Sequence, residues 1–515
     1  MEAASSMTKS ALVELPAVDV IAAFKNGSLT PSDYLTASLA NISRINPAIN
    51  ALTVIDAERA VPEAAQATRR WQNGTPMGPL DGLPVGIKDL QDTRGLLTTF
   101  GSARAHANVP NNDLPMVARL RAAGAIILAK TNIPELGAGG NSRNPVWGAT
   151  GNPFEPNLIA GGSSGGSAAA LAANLLPLCT GSDTGGSLRV PAALCGVVGY
   201  RPSVDVIAHP TRPLGWSGIS VLGPMARTME DLLLMLSVCH GQDPDDPLSV
   251  ASAPNRFTNI TSTDLRDLRV GYSEDFGGAP VDPSIRKCFQ SRIDTLRSQV
   301  KSCTPADLNL GQMDRTFDVL RAESFVSAFA QAIEKDPDSF GSHIIENVEL
   351  GNQMTLADRA WAHREQTLIL RKFNALMQDF DVILLPTSPV SPYPWTQTHA
   401  SVIDGHAMDN YYRWLALAYR GSLMGGPAIT VPCGTDTYGM PFGMQLMGAV
   451  SGDEQLLSAA CAMEAFFATK PETARPIPTF DNMTAANPDL RSIVTHPPTI
   501  NGSAQDGKSS MQTAV

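Results

Sequence analysis

Two short glycine-rich stretches each end in serine and could carry nucleophilic chemistry. They are GGSSGGS (161–167) and GSDTGGS (181–187). A serine hydroxyl is a weak nucleophile until a neighbouring base takes its proton. No histidine lies between His106 and His209, so the sequence offers no local base. Serine-based catalysis at these turns therefore requires a base from elsewhere in the chain.

The same turns also fit a phosphate-binding pattern. Both match G-x-x-x-x-G-[ST], ending at Gly166-Ser167 and Gly186-Ser187, and glycine-rich turns before helices cradle anions. Both lack the lysine that follows the last glycine of a P-loop. A nucleotide-binding module stays open as an alternative from another class.

A Ser-His-Asp hydrolase is a further interpretation, because Ser163 and Ser164 each occupy the serine of a G-x-S-x-G pattern. Such a nucleophile should follow a central strand. The preceding segment, NPFEPNLIA (152–160), contains two prolines, which a central strand seldom tolerates. Histidines from His209 to His496 lie downstream, but none has a context that singles it out.

A long-range set of motifs is more specific. GGSSGGSAAALAA, GSDTGGSLRVPAALCGVVGYRP and LDGLPVGIKDL (80–90) resemble the central segments of the amidase signature family. The resemblance continues through AKTNIPELG, GPMARTMEDL, DVILLPTSP and GMPFGMQLMG, over roughly residues 15 to 470. It implies that Ser187 is the nucleophile, that Ser163 passes its proton on, and that Lys88 receives it.

This relay places specific demands on its residues. An ordinary lysine is neutral only about 0.04% of the time at pH 7, so Lys88 must be buried to lower its pKa. The backbone N–H groups of Thr184, Gly185 and Gly186 are expected to form the oxyanion hole, worth about 2.7 to 4 kcal/mol per donor.

The neighbouring residues have expected structural roles. Ser164 and Ser167 are expected to cap the following helix. Asp183 and Arg189 are expected to hold the second turn through hydrogen bonds. A substrate contact by Arg189 is left open.

Alternating helix and strand patterns must position these residues. Buried strands are predicted at 83–90, 124–130, 381–389 and 427–434. Helices are predicted to start at Thr30-Pro31 and to cover 61–73, 115–123, 167–174, 283–300, 313–334 and 356–380. The alternation predicts an α/β fold. The resemblance implies an α/β/α sandwich around a large twisted mixed β-sheet, as one domain over 1–486. Because predicted strands lie on both sides of the more helical stretch at about 240–420, that stretch is expected to be a helical insertion into one sheet. The polar composition of residues 487–515 predicts a loose tail.

Composition narrows the function classes. A net charge of −11 without basic clusters argues against nucleic acid and anionic membranes as partners, and no run of about 18 apolar residues occurs. Residues 1–9 lack a signal-peptide pattern, so a cytoplasmic protein is expected. The seven cysteines have no C-x-x-C pair and are predicted to be buried, with no disulfide framework and no zinc site. We expect no metal and no cofactor; a homodimer is left open.

The substrate class is the least determined feature. Candidates for an apolar substrate pocket, with core packing as the alternative for each, are Trp147, Trp216, Tyr393, Trp395, Tyr411, Tyr412, Trp414 and Met424. Ser422 stands where many family members have asparagine, and Gly151 replaces a common basic residue, which puts the substrate class in doubt. The prediction is hydrolysis of small aryl or alkyl amides, with carbamates (urethanes) included. The glutaminase-type subunit of a transamidation complex, which would need partner subunits, is the alternative.

Overall fold

The computed structural model describes residues 9–480, 483 and 485–499. Fourteen α-helices occur in this part of the chain. In chain order they are α1 Lys9–Glu14, α2 Ala17–Asn26, α3 Pro31–Ile49, α4 Ala57–Gln72, α5 Pro115–Ala122, α6 Gly165–Ala172, α7 Arg189–Cys195, α8 Met229–Cys239, α9 Pro283–Arg297, α10 Met313–Lys335, α11 Ser342–Asn352, α12 Leu356–Leu376, α13 Ala416–Ser422 and α14 Asp453–Phe467.

Seventeen strands accompany these helices in the described residues. They are β1 Leu52–Ile55, β2 Pro84–Lys88, β3 Ile126–Thr131, β4 Arg143–Asn144, β5 Gly148–Ala149, β6 Gly151–Asn152, β7 Glu155–Ile159, β8 Leu178–Asp183, β9 Val198–Arg201, β10 Val221–Ala226, β11 Arg269–Tyr272, β12 Ser302–Pro305, β13 Val382–Pro386, β14 Val402–Ile403, β15 His406–Ala407, β16 Ala428–Thr435 and β17 Pro441–Met447. Eleven of them form one mixed sheet in the order β1-β3-β2-β8-β10-β9-β16-β17-β13-β11-β12.

Helices cover both faces of this sheet. Side chains of successive strand residues point to opposite faces, and Ile127 of β3 belongs to a different core cluster from Ile126 and Leu128. Leu178 and Cys179 of β8 divide between the same two clusters. The predicted α/β/α sandwich around a large mixed sheet is confirmed.

Sequence signals predicted several elements closely. Thr30 caps α3 by accepting a hydrogen bond from the Asp33 N–H at 3.1 Å. The buried strands predicted at 83–90 and 124–130 correspond to β2 and β3. The proline-containing segment 152–160 forms only the separate hairpin of β6 and β7, as expected for a poor central strand.

The helical stretch predicted at about 240–420 needs a correction. It contains β11, β12 and β13, which are strands of the main sheet, so only α10, α11 and α12 form a continuous helical segment, between β12 and β13. Of these, β13 lies within the buried strand predicted at 381–389. The strands β11 and β12 were not predicted, because each has only four residues, too few for a clear period beside long amphipathic helices. The short helices α11 and α13 were not predicted.

The beginning of the predicted loose tail is also different from the expectation. Leu490 is completely buried, and the Thr495 and His496 N–H groups donate to the Pro145 carbonyl at 2.9 and 3.0 Å. Two apolar side chains, Leu490 and the half-buried Ile493, and a few backbone hydrogen bonds therefore fasten residues 487–499 to the domain. Residues 500–515 of the predicted tail lie outside the described residues, as do residues 1–8.

Two further findings concern the cysteines and the hydropathy of the helices. Six cysteines are buried and the seventh, Cys461, is half-buried, and all seven are free thiols, which confirms their prediction as small buried residues. Across the described part of the chain, we find no helix with the length and hydropathy of a membrane span.

Candidate active site

The sheet brings the predicted site residues to one edge. β2 runs parallel to β8, and the two strands end at Lys88 and Asp183. The carboxyl ends of neighbouring parallel strands lie at the same edge of a sheet. The turns 161–164 and 184–188 lead into α6 and α7, and the Ser164 N–H donates to the Ser187 carbonyl at 3.2 Å. The two glycine-rich turns are therefore fastened together above this edge.

A cleft of about 390 Å³ opens at the turns. Ser163, Ser187, Thr184 and Gly185 line it together with Ser182. The remaining wall is largely apolar and aromatic, and it comes from segments far apart in the sequence. The cleft thus joins both predicted serines to a space that a small organic molecule could fill.

Lys88 lies beneath these serines with a completely buried side chain. Its Nζ donates to Ser163 Oγ, Ser164 Oγ and Ser182 Oγ, each at 2.8 Å. The Lys88 N–H is held by Thr180 Oγ1 on β8 at 2.9 Å. All three side-chain partners of the amine are uncharged hydroxyls, which can stabilise it in either protonation state.

This environment changes the acidity of the lysine. Burial lowers the Lys88 pKa from its ordinary value to about 7, against the opposing charge of Asp183. With that pKa, about half of the molecules carry a neutral amine at pH 7. A neutral amine has a lone pair and can accept the Ser163 hydroxyl proton.

Asp183 anchors the second turn in the middle of a buried charge cluster. Arg189 Nη2 and Nε donate to its two oxygens at 2.9 and 3.0 Å, and Arg201 Nη1 donates to Oδ1 at 3.1 Å. Burial raises the Asp183 pKa, but the two arginines outweigh it and hold the pKa well below its usual range. The carboxylate also accepts the Gly186 and Leu188 N–H groups at 2.9 and 3.1 Å. The prediction that Asp183 and Arg189 hold this turn is confirmed.

Ser187 is presented at the end of this turn. It is half-buried and lines the cleft, and its hydroxyl makes no hydrogen bond within the described part of the chain. Ser163, which follows a cis peptide bond from Gly162, faces the same cleft. The structure thus shows the contact between Lys88 and Ser163 directly, whereas Ser163 and Ser187 share the cleft without a hydrogen bond. In unliganded enzymes, catalytic hydrogen bonds are often long and tighten when substrate binds.

The expected oxyanion donors do not all have the same environment. Gly186 has a φ of +113°, in the region that favours glycine, and its N–H is already engaged by Asp183. Thr184 and Gly185 border the cleft. Their N–H groups have no acceptor in the described residues and remain available for a developing oxyanion.

Two serines differ from the sequence-based expectation. The first residues of α6 have no side-chain cap, so the prediction that Ser164 and Ser167 cap this helix is wrong. Ser164 Oγ instead contacts the Lys88 amine, and Ser167 Oγ donates to the Thr180 carbonyl at 2.8 Å. The buried Gly165 and Gly166 N–H groups at the helix start donate instead to Ser142 Oγ and the Asn132 carbonyl, so the Ser164 and Ser167 hydroxyls bond to groups of β2 and β8. Ser182, the third hydroxyl beside Lys88, was not predicted, because only the pairing of β2 with β8 brings it there.

The aromatic residues that line the cleft also differ in part from those predicted from the sequence. Of the eight predicted pocket residues, Tyr411 and Tyr412 line the cleft. Trp216 is 81% exposed, and Trp147 packs in a small separate cluster. Four others do not line the cleft: Tyr393, Trp395, Trp414 and Met424. Phe317, Phe325 and Phe329 of α10 supply aromatic rings that were not predicted; their spacing along one helix face is the signal that could have found them.

The two departures from the family pattern lie away from the cleft. Ser422 Oγ accepts a hydrogen bond from Arg189 Nη2 at 2.9 Å. A Cβ on Gly151 would lie 2.5 Å from the Pro156 carbonyl oxygen, so the hairpin of β6 and β7 leaves no room for a side chain there. Neither residue lines the cleft, so neither contacts a ligand bound there.

One histidine, His209, does line the cleft. Burial lowers its pKa to about 3, with the nearby Arg212 acting in the same direction. The partner of its ring is the Thr211 hydroxyl at 3.3 Å, and no carboxylate of the described residues orients the ring. The arrangement therefore gives little support to a Ser-His-Asp triad.

Comparison with known proteins identifies the family. The amidase family profile matches residues 33–457. An acylamidase from Rhodococcus erythropolis is 33% identical over 468 residues, covering 89% of this chain and 97% of that protein. A glutamyl-tRNA(Gln) amidotransferase subunit from Thermosynechococcus vestitus is 30% identical over 458 residues, covering 84% of this chain and 94% of that protein.

Solved structures agree with this result. A bacterial aryl acylamidase of the amidase signature family superimposes with a TM-score of 0.81 at 24% identity, covering 93% of this chain and 98% of that chain. A crystal structure of an amidase gives 0.77 at 27% identity, covering 88% and 100%. The chain belongs to the amidase signature family, and it is an amidohydrolase.

Proposed function

We propose that this protein hydrolyses the C–N bond of small aryl or alkyl amides through an acyl-enzyme on Ser187. In this proposal Ser163 and Lys88 relay the proton. The observation that carries it is the 2.8 Å contact between the buried Lys88 amine and Ser163 Oγ, combined with a Lys88 pKa lowered to about 7 by burial. A lysine in this state can act as a base near neutral pH.

Acylation begins with attack of Ser187 Oγ on the substrate carbonyl carbon. The Ser187 proton passes to Ser163 Oγ, and the Ser163 proton passes to the neutral Lys88 amine. The C=O bond becomes a C–O⁻ single bond, and the negative charge develops near the second turn. The Thr184 and Gly185 N–H groups stabilise that oxyanion, with each donor worth about 2.7 to 4 kcal/mol. The Gly186 N–H, part of the oxyanion hole expected from the sequence, contributes indirectly by holding Asp183.

Collapse of the tetrahedral intermediate then breaks the C–N bond. An amine anion is a very poor leaving group, so the nitrogen must be protonated as it departs. The proton now on Lys88 returns through Ser163 to the leaving nitrogen. Water attacks the acyl-enzyme by the same relay and releases the acid and free Ser187.

The cleft supports aryl and alkyl amides as the substrate class. Its walls include Phe317, Phe325, Tyr411 and Tyr412, which give an aryl or alkyl group an apolar surface. The acylamidase relative and the aryl acylamidase neighbour are consistent with this class. Carbamates present the same carbonyl and nitrogen, so urethane hydrolysis through a carbamoyl-enzyme belongs to the proposal. The cytoplasmic location and the homodimer considered from the sequence stay predictions.

The test is a panel of p-nitroanilide and carbamate substrates, run on the wild type and on single variants. Ser187→Ala and Lys88→Met should each lose at least about 10³-fold in kcat, since residues that act as one catalytic unit fail together. Ser163→Ala should lose about 10² to 10⁴-fold. Ser167→Ala is the matched control, because this serine belongs to the same glycine-rich stretch (161–167) but bonds to Thr180 and Thr131 and not to Lys88. Full amide turnover by Ser187→Ala would refute the assignment of the nucleophile.

Relatives that are subunits of a tRNA-dependent amidotransferase keep a second function under consideration. Such a subunit would require partner proteins for its physiological reaction. Turnover of a simple anilide by the purified chain alone favours the amidase. Glutaminase activity that appears only when amidotransferase partner subunits are added would favour the alternative.

The first glycine-rich turn gives no support to nucleotide binding. The Gly165 N–H donates to Ser142 Oγ at 3.1 Å and the Gly166 N–H to the Asn132 carbonyl at 3.0 Å. These amides are therefore not free to cradle a phosphate. An ATP-dependent shift in the thermal unfolding midpoint would reinstate this alternative.

A further inference from the structure

One cationic side chain on the cleft wall is not used by the proposed reaction. Helix α10 runs along the cleft and presents Phe317, Arg321 and Phe325 to it, each one turn after the last. The Cζ atom of Phe317 lies 3.0 Å from where a Cβ on Gly185 would stand. Phe317 is thus next to the turn that carries Ser187, and Arg321 lies one turn, about 6 Å, farther along the helix.

Arg321 is held rigidly and is only 8% exposed. Its Nε donates to Asn347 Oδ1 at 3.1 Å and its Nη2 to Tyr411 Oη at 2.6 Å. The guanidinium lies over the rings of Phe325 and Tyr412, with centroids at 4.6 and 4.9 Å. These contacts orient the group, but none of them supplies a negative charge.

The charge of Arg321 is uncompensated within the described residues. No carboxylate forms an ion pair with it there, and its Nη1 has no hydrogen-bond acceptor. The nearby Asp318 is already engaged, since it accepts from Arg413 at 2.7 Å and from the Tyr412 hydroxyl at 2.8 Å. A buried cation without a partner is costly, so an anion that reached Nη1 would be bound favourably.

The other charged side chains of the cleft, Arg212 and Asp92, each lie near a group of opposite charge. Arg212 also lines the cleft, but it forms a buried ion pair with Asp246 at 3.0 Å. Asp92 lines the cleft as well, and the positive charge of Lys130 favours the ionised form of its carboxyl. Among the described residues, Arg321 is therefore the cation on this wall that lacks an anionic partner.

We infer that Arg321 binds a carboxylate at the end of the substrate that lies along α10. This inference rests on the proposed function and names its substrate class: amides that carry a free carboxylate several bonds from the scissile carbonyl. The planar guanidinium suits a carboxylate because its N–H groups match the two oxygens. The carboxylate could belong to the acyl part, as in the monoanilide of a dicarboxylic acid, or to the amine part, as in an acylated aminobenzoate.

Two matched substrate pairs distinguish these sources. On the acyl side, glutaric acid mono-p-nitroanilide is compared with pentanoic acid p-nitroanilide. On the amine side, N-acetyl-4-aminobenzoate is compared with N-acetyl-4-methylaniline. We expect the wild type to prefer the carboxylate member in one pair by about 10- to 100-fold in kcat/KM, the range for a hydrogen bond to a charged group.

Variants assign this preference to the guanidinium. Arg321→Met should abolish it, with the loss appearing mainly in KM for the carboxylate substrate, and Arg321→Lys should keep part of it. Tyr411→Phe is the control for positioning: it removes the hydroxyl bonded to Nη2 but leaves the charge, so the preference should survive. If Arg321→Met does not fold, Arg321→Gln replaces it, because the amide can still donate to Tyr411.

The outcomes separate the inference from the proposed function. Wild-type turnover of neutral anilides without a carboxylate preference in either pair would overturn the inference alone. A preference that persists in Arg321→Met would do the same. Failure of the wild type to hydrolyse any anilide, charged or neutral, would overturn the proposed function and the inference with it.

Discussion

The lowered pKa of Lys88 leads to a specific prediction for the pH dependence of acylation. If the neutral amine is the base, the rate at which Ser187 becomes acylated should follow the neutral fraction of Lys88. Burial puts the Lys88 pKa at about 7, so acylation should rise with pH and level off above pH 8. An unperturbed lysine would give a rise centred near 10.4 instead.

The size of the effect follows from that pKa. About 1% of the lysine is neutral at pH 5 and about half at pH 7, so acylation should increase about 50-fold between these values. Below pH 6 the rate should fall about tenfold per pH unit. The Asp183 carboxyl stays ionised across this range, because its two arginines hold its pKa below the usual values.

The assay is covalent labelling of Ser187 by a fluorophosphonate, followed by intact-protein mass. Labelling depends on activation of the nucleophile and does not require the natural substrate. The buried pair of Asp89 and Lys130 has pKa values of about 6 and 8 and also titrates in this window. Lys88→Met separates the contributions, since it keeps that pair and should label slowly with little pH dependence.

Two results would refute this reasoning. Labelling of the wild type that is independent of pH between 5 and 8, or that rises only near pH 10, would show that Lys88 is not the base. Labelling of Lys88→Met that keeps the wild-type midpoint would assign the titration to another group.

Four further predictions concern stability, packing and metals. Because the folded pKa of Lys88 is below its unfolded value, the unfolded state binds one more proton than the folded state between pH 7 and 10. The free energy of unfolding of the wild type should therefore rise with pH in that window by about 1.4 kcal/mol per pH unit relative to Lys88→Met. Chemical denaturation of both proteins measures this difference. Arg189→Met removes one partner of the fully buried Asp183 and should lower the free energy of unfolding by about 3–5 kcal/mol, measured the same way; an effect below about 1 kcal/mol would contradict the anchoring role. Gly186→Ala would place a Cβ 2.4 Å from that of Ala418 at a φ of +113° and should reduce both kcat and the unfolding midpoint. The control is Gly95→Ala, which is also at positive φ but has nothing within 4 Å of the added Cβ. This control should reduce the unfolding midpoint less and leave kcat intact. Overnight treatment with EDTA should leave anilide turnover unchanged, because the proposed base is an amine; lost activity that zinc restores would contradict it.

Local sequence was sufficient for many elements of the fold. Thr30-Pro31 predicted the start of α3 because the cap and the proline act within one turn. The apolar runs that became β2 and β3 were readable for a similar reason, since both faces of these strands are buried. The strands β11 and β12 could not be predicted with the same rules. They are short, and what makes them strands is pairing with β13, which lies far along the chain.

The candidate site likewise contains some residues that the sequence predicted and others that it did not. Ser163, Ser187 and Lys88 were found through ordered motifs, because those motifs depend on residue identity. The hydroxyl of Ser182 and the aromatic wall of α10 were not found, since each depends on which segments meet in space. For the same reason, six of the eight predicted pocket residues lie elsewhere.

By itself, the sequence determined the family, the residue types of the relay and the order of many secondary structure elements. The tertiary structure alone decided that Lys88 is completely buried among three uncharged hydroxyls, and that Arg321 reaches the cleft without a carboxylate partner among the described residues. The physical reason is that pKa and charge compensation depend on desolvation and on neighbours within a few ångströms. Those neighbours come from β2, β8, α10 and the turns between them, which only folding brings together.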